Sequence, residues 1–156
     1  MDGARLLRLK AEDVDDLAVL SAAVQDAVVR VCDIAWSRRR RRVTVHLQRY
    51  VYERDCTDCG DRVLSVLAVE GVLTMQSRRV RQDAPEAWAQ VLALRFTPDA
   101  DPPGGALHLE LAGGGVVRID VECIDALLLD VSEPWKARTR PSHPLDETEG
   151  VADASA

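Results

Sequence analysis

The chain has 156 residues, about the size of one ordinary domain, and 47% of them are apolar. Acidic residues outnumber basic ones by 26 to 20, and this balance argues against general nucleic-acid binding, which depends on neutralising phosphates. An acidic residue at position 2 and the lack of a long apolar run argue against secretion and membrane insertion, so we expect a cytoplasmic protein. We expect one globular domain over residues 1–146 and a disordered acidic tail over residues 147–156.

The first predicted elements are a short strand and one helix. Residues 5–10 mix apolar and basic side chains, as a strand can. Asp13 is a candidate N-cap for a helix that ends near Gln25, because its carboxylate can accept hydrogen bonds from the first turn. Apolar residues at helical spacing predict one buried face of that helix: Val14, Leu17, Leu20 and Val24.

From residue 27 onward the apolar period changes to two, which predicts strands. Apolar side chains expected to share a face lie in three of these strands: Val28, Cys32, Ile34 and Trp36; Val43, Val45, Leu47 and Val51; Leu92, Leu94 and Phe96. Residues 63–75 form either two short strands or one strand bent at Gly71. Residues 107–111 and 117–121 form a hairpin around three glycines, and residues 124–131 fit a strand better than two helical turns.

These elements predict an α+β fold that is mostly antiparallel β. One N-terminal helix would pack on a curled sheet of about seven strands, as a sandwich or half-barrel. A barrel like that of pleckstrin-homology domains is one candidate topology. The segment after Pro134 carries an indole and several cations, and we expect Trp135 to dock it on the sheet.

The pair Cys56 and Cys59 is the sharpest local motif in the sequence. Two thiolates at this spacing on a turn are half of a tetrahedral zinc site, but no second pair completes it. Asp55, Asp58 and Asp61 flank the sulfurs and favour protonated thiols, which argues against redox catalysis. A solvated loop with incidental cysteines is therefore the favoured interpretation, and a metal site or a reversible disulfide are the alternatives.

Five consecutive cations, Arg38, Arg39, Arg40, Arg41 and Arg42, lie at a predicted hairpin tip. Guanidinium groups match phosphate oxygens, so this tip is a candidate site for RNA or another polyanion. Because no aromatic residues are interleaved for base stacking, a solvated tip is the favoured interpretation.

No complete catalytic pattern is present. The three histidines (His46, His108 and His143) lie on separate elements, and no serine lies in a nucleophile elbow. Carboxylates around residues 124–131 (Glu122, Asp125 and Asp130) are expected to be solvated. We expect no cofactor.

The favoured function is a non-enzymatic binding or regulatory module with an unidentified protein partner, and the alternatives are a polyanion-binding protein and a small enzyme of unknown reaction.

Four segments together resemble a family of small uncharacterised bacterial proteins classed as a domain of unknown function. They are residues 16–27 (DLAVLSAAVQDA), 76–78 (QSR), 121–126 (VECIDA) and 140–146 (RPSHPLD). Relatives tend to be encoded near genes for histidine synthesis and cell-wall precursors, so the resemblance implies a housekeeping cytoplasmic setting. It implies no activity, ligand or catalytic residue, and the cysteine pair is not part of the family pattern.

Overall fold

The computed structural model describes residues 6–51 and 61–132, together with the backbone of residues 135–136. One helix and ten strands follow one another in this part of the chain. They are β1 (Arg8–Ala11), α1 (Val14–Val24), β2 (Val28–Ser37), β3 (Arg42–Tyr50), β4 (Asp61–Glu70), β5 (Val72–Arg78), β6 (Trp88–Pro98), β7 (Gly105–Leu111), β8 (Val116–Val121), β9 (Ala126–Asp130) and β10 (Trp135–Lys136). No helix in these ranges is long and apolar enough to span a membrane.

The start of α1 is fixed by two carboxylates. Oδ1 of Asp13 accepts a 2.8 Å hydrogen bond from the backbone N of Asp16, as the N-cap prediction requires. Oδ2 of Asp16 in turn accepts a 3.1 Å hydrogen bond from the backbone N of Glu12. Leu17, Leu20 and Val24 are buried as expected, but Val14, the first residue of α1, is 60% exposed.

Nine strands form one antiparallel sheet in the order β1-β9-β4-β3-β2-β6-β7-β8-β5. The sheet is not closed, since β1 and β5 lie at its two ends, and β10 pairs with β4 outside this path. The α+β prediction is confirmed, with more strands than the seven expected. Residues 63–75 form two strands, and the turn at Gly71 sends β4 and β5 to different parts of the sheet.

The two halves of the sheet meet at a narrow seam. Only three residue pairs join β2 to β6: Val28 with Gln90, Val29 with Ala89, and Arg30 with Trp88. Beyond this seam β6 pairs with β7, while β2 continues beside β3. β2 and β6 therefore diverge, and the loop between β5 and β6 occupies the space at this divergence.

Aliphatic side chains from both halves build the core, in a chain of which only 4% is aromatic. The β7–β8 hairpin is confirmed, and its alternate residues are all buried: Leu107, Leu109, Leu111, Val117, Ile119 and Val121. The strand prediction for residues 124–131 is also confirmed, because β9 lies between β1 and β4.

Two predicted faces are wrong where a strand register shifts. The pairing of β2 with β3 shifts between Val29 and Ile34, and Cys32 is exposed instead of sharing the face of Ile34. The pairing of β6 with β7 shifts between Val91 and Ala93, and Leu92 is 47% exposed. Relative to their partners, β2 has three extra residues at its shift and β6 has one. Because side chains alternate with period two, an odd number of extra residues changes which side chains face the core.

Candidate functional site

An open cleft of about 310 Å³ lies where β6 begins, beside the seam of the sheet. Its walls come from the loop between β5 and β6, the first residues of β6, and the turn between β7 and β8. Trp88 is the largest side chain in the cleft and is 55% exposed. We call this cavity the Trp88 cleft. Its volume lies near the lower end of the range for small-ligand sites, about 300–1,000 Å³.

Arg79 is held in the cleft by its backbone and by the glycine turn opposite it. Its φ is +57°, a left-handed conformation that turns the chain out of β5. A Cβ placed on Gly114 would lie 3.2 Å from Nη1 of Arg79, and one on Gly115 would lie 3.1 Å from the carbonyl oxygen of Arg79. The turn between β7 and β8 therefore leaves space for Arg79 because its glycines have no side chains.

The described lining of the Trp88 cleft carries positive charge and no carboxylate. Arg79 and Arg81 are both exposed, and neither forms an ion pair with any residue in the described ranges. Guanidinium groups on a concave surface without counterions are suited to bind carboxylate or phosphate, because two parallel N–H donors match two oxygens.

The indole of Trp88 already contacts one cation. The guanidinium carbon of Arg30 lies 5.7 Å from the ring centroid, within the range of a cation–π contact. Arg30 is held there by Asp33 at 3.1 Å and Glu86 at 2.9 Å. Its hydrogen bond to Asp33, with the charges of Asp33 and Glu86, raises the pKa of Arg30 above its ordinary value. The indole is thus oriented by a neighbouring ion-pair network.

The arginine tip is less available than its sequence suggests. Residues 38–41 form the hairpin turn and Arg42 begins β3. Arg41 pairs with Glu122 at 2.6 Å, Arg42 pairs with Glu70 at 2.7 Å, and Arg38 lies 4.7 Å from the ring centroid of Trp36. The backbone carbonyl of Arg41 also accepts a hydrogen bond from the N of Val72. Of the five, Arg39 and Arg40 make neither an ion pair nor a cation–π contact within the described ranges.

A polar cluster lies on the buried face of the sheet, on four neighbouring strands or their ends. The side chains of Arg49 and Asp130 are 2% and 4% exposed, and Ser65 is fully buried. Asp130 accepts hydrogen bonds from Arg49, from the Ser65 hydroxyl at 2.7 Å and from the backbone N of Leu7 at 2.8 Å. The prediction that Asp130 is solvated is wrong, because β9 brings it between β1 and β4.

This buried cluster has a structural role. Burial by itself raises the pKa of Asp130, but the hydrogen bonds from Arg49, Leu7 and Ser65 and the charge of Arg49 more than offset it, so the pKa lies below its ordinary value. A carboxylate that stays ionised and saturated with donors is a poor proton acceptor at neutral pH. Glu122, by contrast, is exposed, as predicted for it, and pairs with Arg41.

The remaining sequence candidates do not converge. Cys56, Cys59 and His143 lie outside the described residues. Cys32 and Cys123 are exposed free thiols, His46 is exposed on β3, and His108 is half-buried on β7. Within the described ranges, no three histidine, cysteine, aspartate or glutamate side chains lie close enough together to hold a metal ion.

Residues 7–143 match the family model described as Protein of unknown function (DUF2948). The chain belongs to this family. No curated protein and no solved structure matches it. The resemblance predicted from the four sequence segments is thereby confirmed at the level of the family. Membership in DUF2948 assigns no chemistry, so the functional argument for this DUF2948 chain rests on its own residues.

Sequence reasoning missed the residues of the Trp88 cleft and of the buried cluster. Along β3, every second side chain from Val43 to Leu47 faces the core, and Arg49 is the next residue in this series. This spacing alone predicts a buried cation at Arg49. Ser65 and Asp130 occupy inward positions in the same way. Arg79, Arg81 and Trp88 carry no such signal, because a loop and the start of a strand bring them together only in the folded chain.

Proposed function

We propose that the protein is a non-enzymatic binding module that holds an anionic ligand in the Trp88 cleft. The observation behind this proposal is that two exposed guanidinium groups, of Arg79 and Arg81, line the same concave site as a half-exposed indole. Charge-assisted hydrogen bonds from the arginines would fix the anion, and the indole would supply apolar contact area.

The composition of the cleft supports binding more than catalysis. Its described lining consists of aliphatic, glycine and glutamine residues, one indole and two arginines. These groups donate hydrogen bonds and positive charge, whereas acid–base or nucleophilic catalysis uses a group that takes up a proton or attacks. The proposal includes a cytoplasmic location and a single domain over residues 1–146 with an acidic tail over residues 147–156.

The test uses phenyl phosphate, which combines a dianion for the arginines with a ring for the indole. In ¹H–¹⁵N spectra of the full chain, the indole resonance assigned through Trp88→Phe should move on titration, more than those of Trp36 and Trp135. The double variant Arg79→Ser/Arg81→Ser should bind at least about tenfold more weakly, since each charged hydrogen bond contributes about 1.5–3 kcal/mol.

Arg39→Ser/Arg40→Ser is the matched control, because it removes the same charge from the hairpin tip. It should leave the affinity for phenyl phosphate nearly unchanged. Equal weakening by both double variants would mean that net charge alone governs binding and would contradict the proposal, as would the absence of any shift at Trp88.

The polyanion alternative at the arginine tip stays a prediction, now centred on Arg39 and Arg40. Binding of a single-stranded RNA to the full chain should then weaken steeply with salt and be lost in Arg39→Ser/Arg40→Ser. Unchanged RNA affinity in that variant would exclude the tip. A small enzyme of unknown reaction is the remaining alternative, and turnover of a metabolite would favour it.

A further inference from the structure

A second, narrower cavity lies beside the Trp88 cleft. Val31 and Val80 line both, so the two cavities are neighbours across these side chains. The narrow cavity has a volume of about 60 Å³ and is also lined by Ile34 of β2 and by Met75 and Ser77 of β5. We call the two neighbouring cavities together the groove, and its lining extends from Ile34 of β2 and Met75 of β5 to Trp88.

One of the two strands beside this groove, β5, has a long edge without a strand partner in the described part of the chain. β5 is the last strand of the sheet and pairs with β8 alone. β2 offers no such edge next to Arg30, because the backbone N–H groups of Val31 and Cys32 donate to the carbonyl oxygens of Ala87 and Pro85 in the loop between β5 and β6. An exposed strand edge presents unpaired N–H and C=O groups, which an extended peptide can satisfy by adding as a further strand.

The charge around the groove selects the kind of peptide. Arg78, Arg79 and Arg81 follow one another where β5 ends, all three are exposed, and none forms an ion pair within the described ranges. The narrow cavity is lined mainly by apolar side chains and has room for a small aliphatic group. A segment that alternates acidic and small aliphatic residues would therefore complement the groove in charge and in shape.

We propose that the ligand of this protein is an extended acidic segment of a partner protein, added as a strand along the free edge of β5 with its carboxylates on Arg79 and Arg81. This proposal rests on the proposed function, because it names the ligand of the same site. The backbone of the segment would pair with β5, a small aliphatic side chain would enter the cavity beside Met75, and the acidic end would reach the Trp88 cleft.

The probe is a capped peptide of alternating glutamate and valine, matched in length to the seven residues of β5. Its affinity for the full chain is measured by fluorescence anisotropy, with a lysine–valine peptide as the charge control. Two further versions carry N-methyl groups on alternate residues, one for each edge of the peptide strand. We expect the lysine peptide and one N-methylated version to bind at least about tenfold more weakly than the parent.

Variants locate the site of binding. Arg79→Ser/Arg81→Ser should weaken peptide binding at least about tenfold, whereas Arg39→Ser/Arg40→Ser should not. Met75→Glu, which puts a negative charge into the groove, should weaken it as well. Its circular dichroism spectrum checks that the variant folds, and Met75→Gln repeats the test without the charge if it does not.

The outcomes separate this inference from the proposed function. If phenyl phosphate binds at Trp88 but the peptide does not, the inference is wrong and the anion site stands. If neither binds, both are wrong. If both N-methylated peptides bind as tightly as the parent, strand addition is excluded.

Discussion

Arg49 holds Asp130 through two parallel hydrogen bonds, from Nε to Oδ1 and from Nη2 to Oδ2, each 2.8 Å long. The two residues are 81 positions apart, on β3 and β9, with Ser65 of β4 donating to the same carboxylate from the strand between them. Because both ions are buried, removing either one leaves a charge without its partner in the interior.

Asp130→Ala should therefore lower the free energy of unfolding by about 3–5 kcal/mol, because Arg49 would remain buried and lose its carboxylate. Urea denaturation followed by circular dichroism measures the effect. Glu110→Ala is the control, since it removes the carboxylate from the solvent-exposed pair with Arg95 and should cost less than about 1 kcal/mol. Similar losses in the two variants would show that burial adds nothing to the Arg49–Asp130 pair.

Replacing both partners should cost less than replacing one. In Arg49→Met/Asp130→Leu, apolar side chains fill the space of the ion pair and no charge remains buried, so the double variant should be more stable than Asp130→Ala. The same denaturation experiment tests this. A double variant less stable than the single one would mean that leaving Arg49 buried without its carboxylate costs less than fitting the two apolar side chains into its place.

The stability of the fold should fall in acid partly through Asp130. Its pKa is lowered by folding, so as pH decreases the unfolded state takes up the proton first, near the ordinary value of about 3.9. The contribution of this carboxylate is complete above that pH and is lost as pH falls through the lower folded pKa. Unfolding free energies measured between about pH 6 and pH 2 should drop more steeply for the natural chain than for Asp130→Asn. Parallel curves would contradict the assignment.

The helix cap makes a smaller contribution to stability. Asp13→Ala removes the acceptor for the backbone N of Asp16 and should lower the unfolding free energy by about 0.5–2 kcal/mol. Asp13→Ser keeps an oxygen at that place and should recover most of the loss. If serine is no better than alanine, the effect comes from charge near the helix end and not from the hydrogen bond.

Two glycines should differ sharply in their tolerance of alanine. A Cβ on Gly105 would lie 2.5 Å from the carbonyl oxygen of Thr97 and 2.5 Å from Cζ of Phe96, so backbone atoms must move, and we expect a loss of about 3 kcal/mol. A Cβ on Gly113 meets nothing within 4 Å, and only its φ of +88° opposes substitution, at about 1 kcal/mol. Thermal unfolding of the two variants tests the order, which would be reversed if conformational strain outweighed steric overlap.

The elements of this fold can be predicted from sequence where the spacing of apolar residues agrees with the capping and turn residues at the ends. Asp13 marks the start of α1, and the glycines between β7 and β8 mark a turn between two strictly alternating strands. The faces of β2 and β6 are harder to predict, because a register shift within the pairing of each strand changes which side chains point inward, and no local residue pattern marks it.

The Trp88 cleft could not be predicted for a different reason. Its residues come from a loop, the start of a strand and a hairpin turn, which are distant in sequence and meet only in the folded chain. The arginine tip was conspicuous in sequence, yet two of its five guanidinium groups are engaged by Glu70 and Glu122, and a third lies on Trp36. A run of charges in sequence thus says little about which charges remain for a partner.

The seam between β2 and β6 should determine how the molecule unfolds locally. Three residue pairs of the ladder and four further backbone hydrogen bonds join residues 26–32 to residues 85–91, whereas β3 and β4 alone share nine residue pairs. We therefore expect amide hydrogen exchange to divide the chain into two cooperative units, with the amides at the seam exchanging sooner than those of β3 and β4. Since Trp88 belongs to the seam and to the cleft, an occupant of the cleft would slow exchange there and couple the two units.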